Sequence, residues 1–451
     1  MSGLPFRFFW TWDHSTNWCL NVRGAQNTGV ANCYTKDPKF FVRDYKRAID
    51  WCAAHKMSAM GAAGLLRDIH GGVDSVREIC AYARERGVRM YMIAGLFSYG
   101  GIYYEGASRW SLDRFLTDHP GCMGRGKDGS PLYRHMVGYG GNRPILTGCP
   151  SSPELNRYVL DSLDWLFGAI PELGGIQMES GDVGICQCDR CRSRREAGSG
   201  EAPAEMSFND MARIYAKCAK TVWNRNPDAW VICETYRHFL DKECRFFSSD
   251  TPSPELRELL DLPEKTFWQW KCDRRLRSGD WTGEPVPESL RKFRHIMRAH
   301  SGTQWWGGRH TLAVDEIRRQ CLLSSRSGLQ GVSIFGEGSV FHTNVEMNYL
   351  ALEYFSDHPE NSIGDFAGDV MAPLLGGKLQ AEKYLEFGVL HRDPVRIPAA
   401  VAEIARILRG VVDYDVMRRW EYLASFLNAF YWEFRHPDYE ERVETSNRNM
   451  L

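Results

Sequence analysis

The chain alternates between short apolar runs and amphipathic segments, and this pattern predicts an α/β protein built as a (β/α)8 TIM barrel. Three observations support that fold. Eight apolar runs are separated by segments whose apolar residues recur at helical spacing. Most runs end in charged or imidazole side chains, as strands do at the ligand-binding rim of such a barrel. The alternation ends near residue 355, which leaves room for enlarged loops at the C-terminal face.

The first predicted strand is the aromatic run from Arg7 to Trp12, which leads directly into Asp13 and His14. Apolar runs of this kind are typical of parallel strands that are buried on both faces. The other predicted strands are Ser58–Leu66, Val88–Phe97, Gly174–Met178, Ala229–Cys233, Thr266–Trp270, Thr303–Trp306 and Gly331–Phe335. Together they assign residues 1–355 to the barrel.

Helices are predicted between the strands. Asp37-Pro38 and Ser152-Pro153 each place a capping side chain before a proline at the first helical position. The other barrel helices are expected at Asp74–Arg86, Met206–Asn224, Pro287–His300, Asp315–Ser325 and Asn344–Phe355, with a short helix opening at Ser253. Residues 356–451 form a predicted C-terminal helical region, which either packs on the barrel or contributes to a homodimer.

The composition argues against several classes of protein. With 43% hydrophobic residues, 25% charged residues and a net charge of -1, nothing favours nucleic acid or an anionic membrane as a partner. The sequence as written has neither a bilayer-spanning run nor a signal-peptide pattern, so a cytoplasmic protein is expected. The 14 cysteines are spread through predicted helices and strands, which favours free thiols over a disulfide framework.

The predicted strand ends bring charged residues to one rim, where the active site of such a barrel lies. Carboxylates suit acid–base chemistry on a sugar, and aromatic side chains suit stacking on sugar rings. Arginines favour a substrate that carries a carboxylate, because a guanidinium binds it bidentately. The charged candidates are Asp13, His14, Glu179, Asp182, Glu234, Arg237, Arg309, His310 and Glu337, and the flanking aromatics are Trp10, Trp12, Trp18, Tyr236, Trp305 and Trp306.

A long segment, Ser98–Pro150, follows the third predicted strand. Among its many glycines it contains Arg125, Lys127, Arg134, His135 and Arg143. Long loops at this face are usually functional, so this segment is expected to fold over the barrel mouth. The alternative is an ordinary surface excursion with solvated charges.

Each candidate also has a structural alternative. Asp13 could cap a turn, and His135 could be a structural histidine. Glu179 and Glu234 lie at strands four and five, where many barrel glycosidases keep catalytic acids. They could equally bind sugar hydroxyls or neutralise the rim arginines, and Glu337 has the same alternatives.

The segment Cys186-Gln187-Cys188-Asp189-Arg190-Cys191 has metal-ligand spacing but offers three thiols. A closed zinc site would need a distant fourth ligand such as Cys149 or His135. Three free thiols in a tight loop is the alternative. No metal is expected in the active site, and no cofactor is expected.

The barrel resembles glycoside hydrolase family 156, the inverting exo-sialidases. The matching positions are Asp13, in Trp12-Asp13-His14, and His135, in Arg134-His135-Met136. The resemblance implies release of terminal sialic acid from a sialylated glycan, with His135 as general acid and Asp13 as general base. It also implies that rim arginines hold the substrate carboxylate and that nearby polar residues bind its hydroxyls. The arginine candidates are Arg134, Arg143, Arg237 and Arg309, and the hydroxyl-binding candidates are Glu179, Glu234, Glu337 and Asn344.

Two other readings stay open. The Glu179–Asp182 segment and the cysteine motif also resemble barrel glycosidases that act on N-acetylhexosaminides. A retaining or substrate-assisted mechanism would then use Glu179 with Asp182 or Glu234. A third reading is a sugar-binding barrel without catalysis, or a metal-dependent sugar isomerase. The strand ends lack a dense metal cage, which argues against the isomerase.

Overall fold

The computed structural model describes residues 3–12, 37–135, 144–179, 185–194, 208–238, 254–272, 276, 279, 285–303, 310–336 and 338–435. Its strands are β1 (Phe6–Trp12), β2 (Ala59–Ala63), β3 (Arg89–Gly95), β4 (Tyr133–His135), β5 (Pro144–Leu146), β6 (Gly175–Glu179), β7 (Trp230–His238), β8 (Phe267–Lys271), β9 (Arg294–Ala299) and β10 (Gly331–Phe335). Eight of them close into a barrel in the order β1-β10-β9-β8-β7-β6-β3-β2. Every neighbouring pair in it is parallel. The predicted (β/α)8 barrel is therefore confirmed.

Helices follow the barrel strands along the chain, except between β8 and β9, where the described residues form only the 3-10 turn Glu288–Leu290. Two of the predicted caps are present: the Asp37 carboxylate accepts from the amide of Phe40 at 2.7 Å, and the Ser152 hydroxyl accepts from the amide of Leu155 at 3.3 Å. The barrel helices of more than six residues are Pro38–Ala54, Gly72–Glu85, Leu112–Asp118, Pro153–Ala169, Phe208–Arg225, Pro254–Leu260, Val314–Arg326 and Thr343–Asp357.

The seventh barrel strand was assigned wrongly from the sequence. The predicted helix Pro287–His300 is a short 3-10 turn, Glu288–Leu290, followed by β9. The predicted strand Thr303–Trp306 begins in a turn, where the amide of Thr303 donates to the carbonyl of His300. Its last three residues lie outside the described part of the chain. Both faces of β9 are buried, so its sequence lacks the polar–apolar alternation that would mark a strand.

The lower interior of the barrel is filled by aromatic rings. Phe267 packs against Phe6 and Trp230 with ring centroids 5.0 and 4.6 Å apart. The guanidinium of Arg294 lies 5.2 Å from the Phe267 ring, and that of Arg89 lies 5.4 Å from the Trp230 ring. Cationic groups at these distances are attracted to ring faces. This end of the barrel is thus closed by packing.

The C-terminal helical region packs on the barrel. Arg419 donates to both carboxylate oxygens of Glu346 at 2.8 and 2.7 Å, and the Tyr384 hydroxyl donates to Asn344 at 2.8 Å. Trp420 is fully buried in the same hydrophobic core as the barrel helices. The helices of this region include Lys378–Gly388, Ile397–Leu408 and Tyr414–Arg435. The homodimer stays a prediction.

Candidate active site

Two carboxylates enter the upper interior of the barrel from neighbouring strands. Glu179 is the last residue of β6, and Glu234 lies within β7. Met178 pairs with Cys233, so Glu179 and Glu234 occupy the next matched position and point to the same side of the sheet. Both side chains are buried, with exposed fractions of 9% and 1%. Two carboxylates therefore lie side by side near the C-terminal ends of β6 and β7.

Glu234 is held by groups from the next two strands. The amide of Gln269 donates to its Oε2 at 2.6 Å, and the guanidinium Nε of Arg298 lies 3.1 Å from the same oxygen. Arg298 is 5% exposed. A charge buried this deeply needs a close partner of opposite sign. The pair therefore fixes an anion and a cation together inside the barrel.

Aromatic groups surround this ion pair. The guanidinium carbon of Arg298 lies 5.0 Å from the centroid of the Trp10 ring, and a terminal guanidinium nitrogen lies 3.2 Å from Nε2 of His300. Trp10 and His300 contact each other edge to face at 5.2 Å. The upper interior thus combines carboxylates, a guanidinium, an imidazole and an indole, which is the mixture expected of a sugar-binding site.

Tyr91 places a hydroxyl beside the same charges. Its ring occupies space left by Gly61, where an added Cβ would lie 2.0 Å from the ring. Burial raises the pKa of Tyr91 well above its usual value, and Glu234 and Glu179 raise it further, while Arg298 opposes them. The hydroxyl therefore keeps its proton and can donate it in a hydrogen bond.

Several polar atoms in this region have no hydrogen-bond partner among the described residues. They are the Tyr91 hydroxyl, Nε1 of Trp10 and Oε1 of Gln177. Gln177 also places its amide nitrogen 3.5 Å from Glu179. Buried polar groups usually have a hydrogen-bond partner, so these three atoms could be satisfied by a bound polar molecule or by ordered water. Among the described residues, the aromatic rings that fill the lower interior include no polar atom of this kind.

The structure brings together some of the residues selected from the sequence. Glu179, Glu234 and Trp10 share the upper interior. The backbones of Arg134 and His135 lie in β4 and that of Arg237 lies in β7, but their side chains are not among the described atoms. The positions outside the described residues are Asp13, His14, Trp18, Arg143, Asp182, Trp305, Trp306, Arg309 and Glu337.

Asn344 has a structural environment. It is fully buried, its amide donates to the carbonyl of His310 at 3.2 Å, and its Oδ1 accepts from Tyr384. Predicted as a ligand for sugar hydroxyls, it instead connects the barrel to the C-terminal helices. His310 belongs to the same junction, with its ring 4.0 Å from that of His342.

Arg298, Gln269 and Tyr91 were not selected from the sequence. Arg298 was missed because β9 was assigned to a helix. Gln269 and Tyr91 lie inside correctly predicted strands, and each is a polar side chain in an otherwise apolar run. That interruption is the signal that could have identified them, because a polar group at an inward barrel position needs a partner.

A second group of reactive side chains lies beyond the end of β6. The Sγ atoms of Cys149, Cys186, Cys188 and Cys191 all lie within 4.8 Å of one another. The pKa of Cys149 lies above its usual range, because the thiols of Cys186 and Cys191 are close and because the group is buried. Cys149, one of the two fourth ligands considered from the sequence, is thus the one that joins the motif. We call these residues the thiol quartet.

The segment Ser98–Pro150 is anchored at two points, and it contains the helix Leu112–Asp118 and the β4–β5 hairpin. Near its start, buried Arg67 pairs with Glu105 at 2.6 Å. Near its middle, the amide of Gln187 donates to the carbonyl of Arg125 at 2.6 Å. Because the segment leaves the barrel at the carboxyl end of β3, these anchors keep it at the face where Glu179 lies.

None of the described helices is long and apolar enough to cross a bilayer.

Comparison with known proteins identified no matching family model and no matching curated protein. Among solved structures, the chain is similar to a cyclic α-maltosyl-(1→6)-maltose hydrolase from Arthrobacter globiformis, with 11% identity over 78% of this chain and 82% of that one and a TM-score of 0.44. An α-amylase from Geobacillus thermoleovorans matches with 9% identity over 81% and 80% and a TM-score of 0.43. A GH5_18 protein from Streptomyces cattleya matches with 10% identity over 74% and 71% and a TM-score of 0.41. Similarity at this level carries no argument about substrate or mechanism, which must come from the chain's own residues.

Proposed function

We propose that the protein is a retaining glycoside hydrolase of N-acetylhexosaminides, with Glu234 as nucleophile and Glu179 as general acid and base. One observation carries the proposal: two inward carboxylates occupy matched positions on neighbouring strands, in a layer that also contains unpartnered polar atoms. Arg298 and Gln269 orient Glu234, and Tyr91 can donate a hydrogen bond to a bound sugar.

The strand geometry supports retention over inversion for this pair. Neighbouring strands are about 4.8 Å apart, so side chains at matched positions start at nearly that separation. Retaining enzymes hold their two carboxyl groups about 5–5.5 Å apart, whereas inverting enzymes need about 6.5–9.5 Å. In the first step Glu234 bonds to the anomeric carbon while Glu179 gives its proton to the departing oxygen. In the second, water attacks that carbon, Glu179 takes the water proton, and Glu234 leaves.

A second candidate is the inverting exo-sialidase implied by the family 156 resemblance. One placement favours it: the strand that contains Arg134 and His135 belongs to the anchored segment that leaves the carboxyl end of β3. An imidazolium acid would suit a substrate that already carries a carboxylate, because a cationic donor is attracted to it. Asp13 would then activate the water as general base.

A substrate panel with four proteins tests both proposals. The wild type, Glu179→Gln, His135→Ala and Glu264→Gln are assayed on aryl N-acetylhexosaminides and aryl sialosides. Glu264 is an exposed acid before β8 and serves as the matched control. The retaining proposal expects hexosaminide cleavage that Glu179→Gln lowers by about 10²–10⁴-fold, while His135→Ala and Glu264→Gln have little effect.

Each alternative has its own result. Sialoside cleavage that His135→Ala abolishes would replace the first proposal with the second. Near wild-type turnover in Glu179→Gln would exclude Glu179 as the acid. The anomer first released, followed by NMR, separates retention from inversion.

A further inference from the structure

The thiol quartet has the dimensions of a site for one metal ion. Sγ of Cys149 lies 3.7 Å from Sγ of Cys188 and 3.7 Å from Sγ of Cys191. A tetrahedral zinc ion with Zn–S bonds of about 2.3 Å places its sulfurs about 3.8 Å apart. A disulfide would bring two of them to about 2.05 Å, and none of the four cysteines is disulfide-bonded to another described cysteine. The quartet therefore matches a tetrathiolate centre and not a crosslink.

Two groups outside the quartet lie close to its sulfurs. The backbone amide of Arg125 donates to Sγ of Cys186 at 3.3 Å, and the Ser151 hydroxyl lies 3.1 Å from Sγ of Cys191. A backbone amide donor is the kind of outer contact that orients a metal-bound thiolate. Three of the four cysteines are buried and Cys188 is half-buried. This degree of burial suits a structural zinc centre, in which all four ligands come from the protein.

The donor set also limits the identity of the ion. Four thiolates select a soft or borderline ion such as zinc or iron, and they disfavour magnesium and calcium, which require oxygen ligands. A multi-iron cluster would spread its thiolates over different iron atoms. Sulfurs that all lie within 4.8 Å of one another instead converge on a single centre.

The quartet joins two segments that leave the barrel at the same face. Cys149 ends the segment that follows β3, and its amide donates to the carbonyl of Cys122 at 2.8 Å. Cys186 lies seven residues after Glu179, in the segment that follows β6. A metal ion at the quartet would lock these two segments together above the candidate active site.

We propose that Cys149, Cys186, Cys188 and Cys191 bind one zinc ion, which fixes the Ser98–Pro150 segment to the segment after Glu179. The ion has a structural role, and the glycosidase proposal does not depend on it. Removing it is expected to loosen the barrel mouth while the closed barrel persists.

Metal analysis of the full-length purified protein tests this directly. We expect about one zinc per chain in the wild type and in Cys122→Ser, and well under half that amount in Cys188→Ser and Cys149→Ser. Cys122 is a matched control because it is buried in the same segment but does not belong to the quartet. The two quartet variants should also show a lower thermal midpoint than the control.

A second measurement uses the wild type alone, so that it does not depend on how the variants fold. Exchange with Co²⁺ should produce the visible absorption of a tetrahedral tetrathiolate site. Full zinc content in Cys188→Ser, or no bound metal in the wild type, would overturn the proposal. About one iron per chain would also overturn the assignment to zinc.

Discussion

The two ends of the barrel interior use similar residues in different ways. At the lower end, Arg89 and Arg294 lie over the faces of aromatic rings. At the upper end, Arg298 also lies near a ring, that of Trp10, but it pairs with buried Glu234 as well. The described side chains at the lower end pack against one another. The upper end also contains polar atoms that have no partner among the described residues. This difference indicates that the lower layer supplies stability and the upper layer supplies chemistry.

The largest effect is expected from breaking the Glu234–Arg298 pair. Glu234→Gln leaves a buried guanidinium without its carboxylate, which should cost about 3–5 kcal/mol of unfolding free energy and abolish turnover. Arg298→Met should cost a similar amount. The double variant should lose much less than the sum, because neither charge is then left alone. Urea unfolding of the four proteins measures the coupling, and strictly additive losses would contradict the pair.

A change at the lower end should affect stability alone. Phe267→Ala removes a fully buried ring that packs between Phe6 and Trp230, so the unfolding free energy should fall by about 3–5 kcal/mol. Phe267→Leu, which preserves most of the volume, should cost less than about 2 kcal/mol. The kcat/KM of the folded fraction should stay at the wild-type value in both variants. A loss of kcat/KM would show that the two ends are not separable.

The pH dependence of stability should report on the barrel wall. Burial lowers the pKa of His295 to about 4, and its Nδ1 accepts from the indole of Trp270 at 3.0 Å. The unfolded chain, with the usual histidine pKa of about 6.5, takes up the proton first as the pH falls. Stability from this group is therefore complete above about pH 6.5 and decreases down to about pH 4, by about 3 kcal/mol.

His295→Asn provides the control for that dependence. It should lower stability at pH 7 but flatten the decrease between about pH 6.5 and 4. Urea midpoints of both proteins across that range give the comparison. An equally steep decrease in the variant would assign the effect to other groups.

The smallest effect is expected at Tyr91, where stability and turnover should respond differently to the same substitution. Tyr91→Phe removes a buried hydroxyl that has no described partner, so stability should stay level or rise by up to about 1 kcal/mol. Turnover should fall about tenfold, which corresponds to the loss of one hydrogen bond to the sugar. Steady-state kinetics measure the turnover of the variant, and thermal melts measure its stability. A clear loss of stability with unchanged turnover would make the hydroxyl structural.

The sequence predicted the barrel because its apolar runs are strong local signals. It failed at β9, where burial on both faces removes the alternation that distinguishes a strand from a helix, and Arg298 was missed with it. Glu179 and Glu234 were identified because acids at strand ends are visible in sequence. Their pairing with Gln269 and Arg298 depends on register between strands, which spacing along the chain cannot show.

The thiol motif illustrates the same limit. Three cysteines in a short segment predict metal ligands, but the fourth could have been Cys149 or His135. Cys149 precedes Cys186 by 37 positions, and only the closed barrel brings the two loops together. Asn344 is the opposite case, because its polar side chain resembled a ligand-binding group while folding assigns it to an internal junction.

The absence of a side chain at position 61 has an evolutionary consequence. The Tyr91 ring extends into the space that a Cβ at Gly61 would fill, so neither residue can change freely while the other stays. In related sequences we expect a larger residue at 61 to appear only together with a smaller one at 91. Such paired replacement would mark lineages that have lost the Tyr91 hydroxyl. Those lineages would also have lost the hydrogen bond that this hydroxyl donates to a bound molecule.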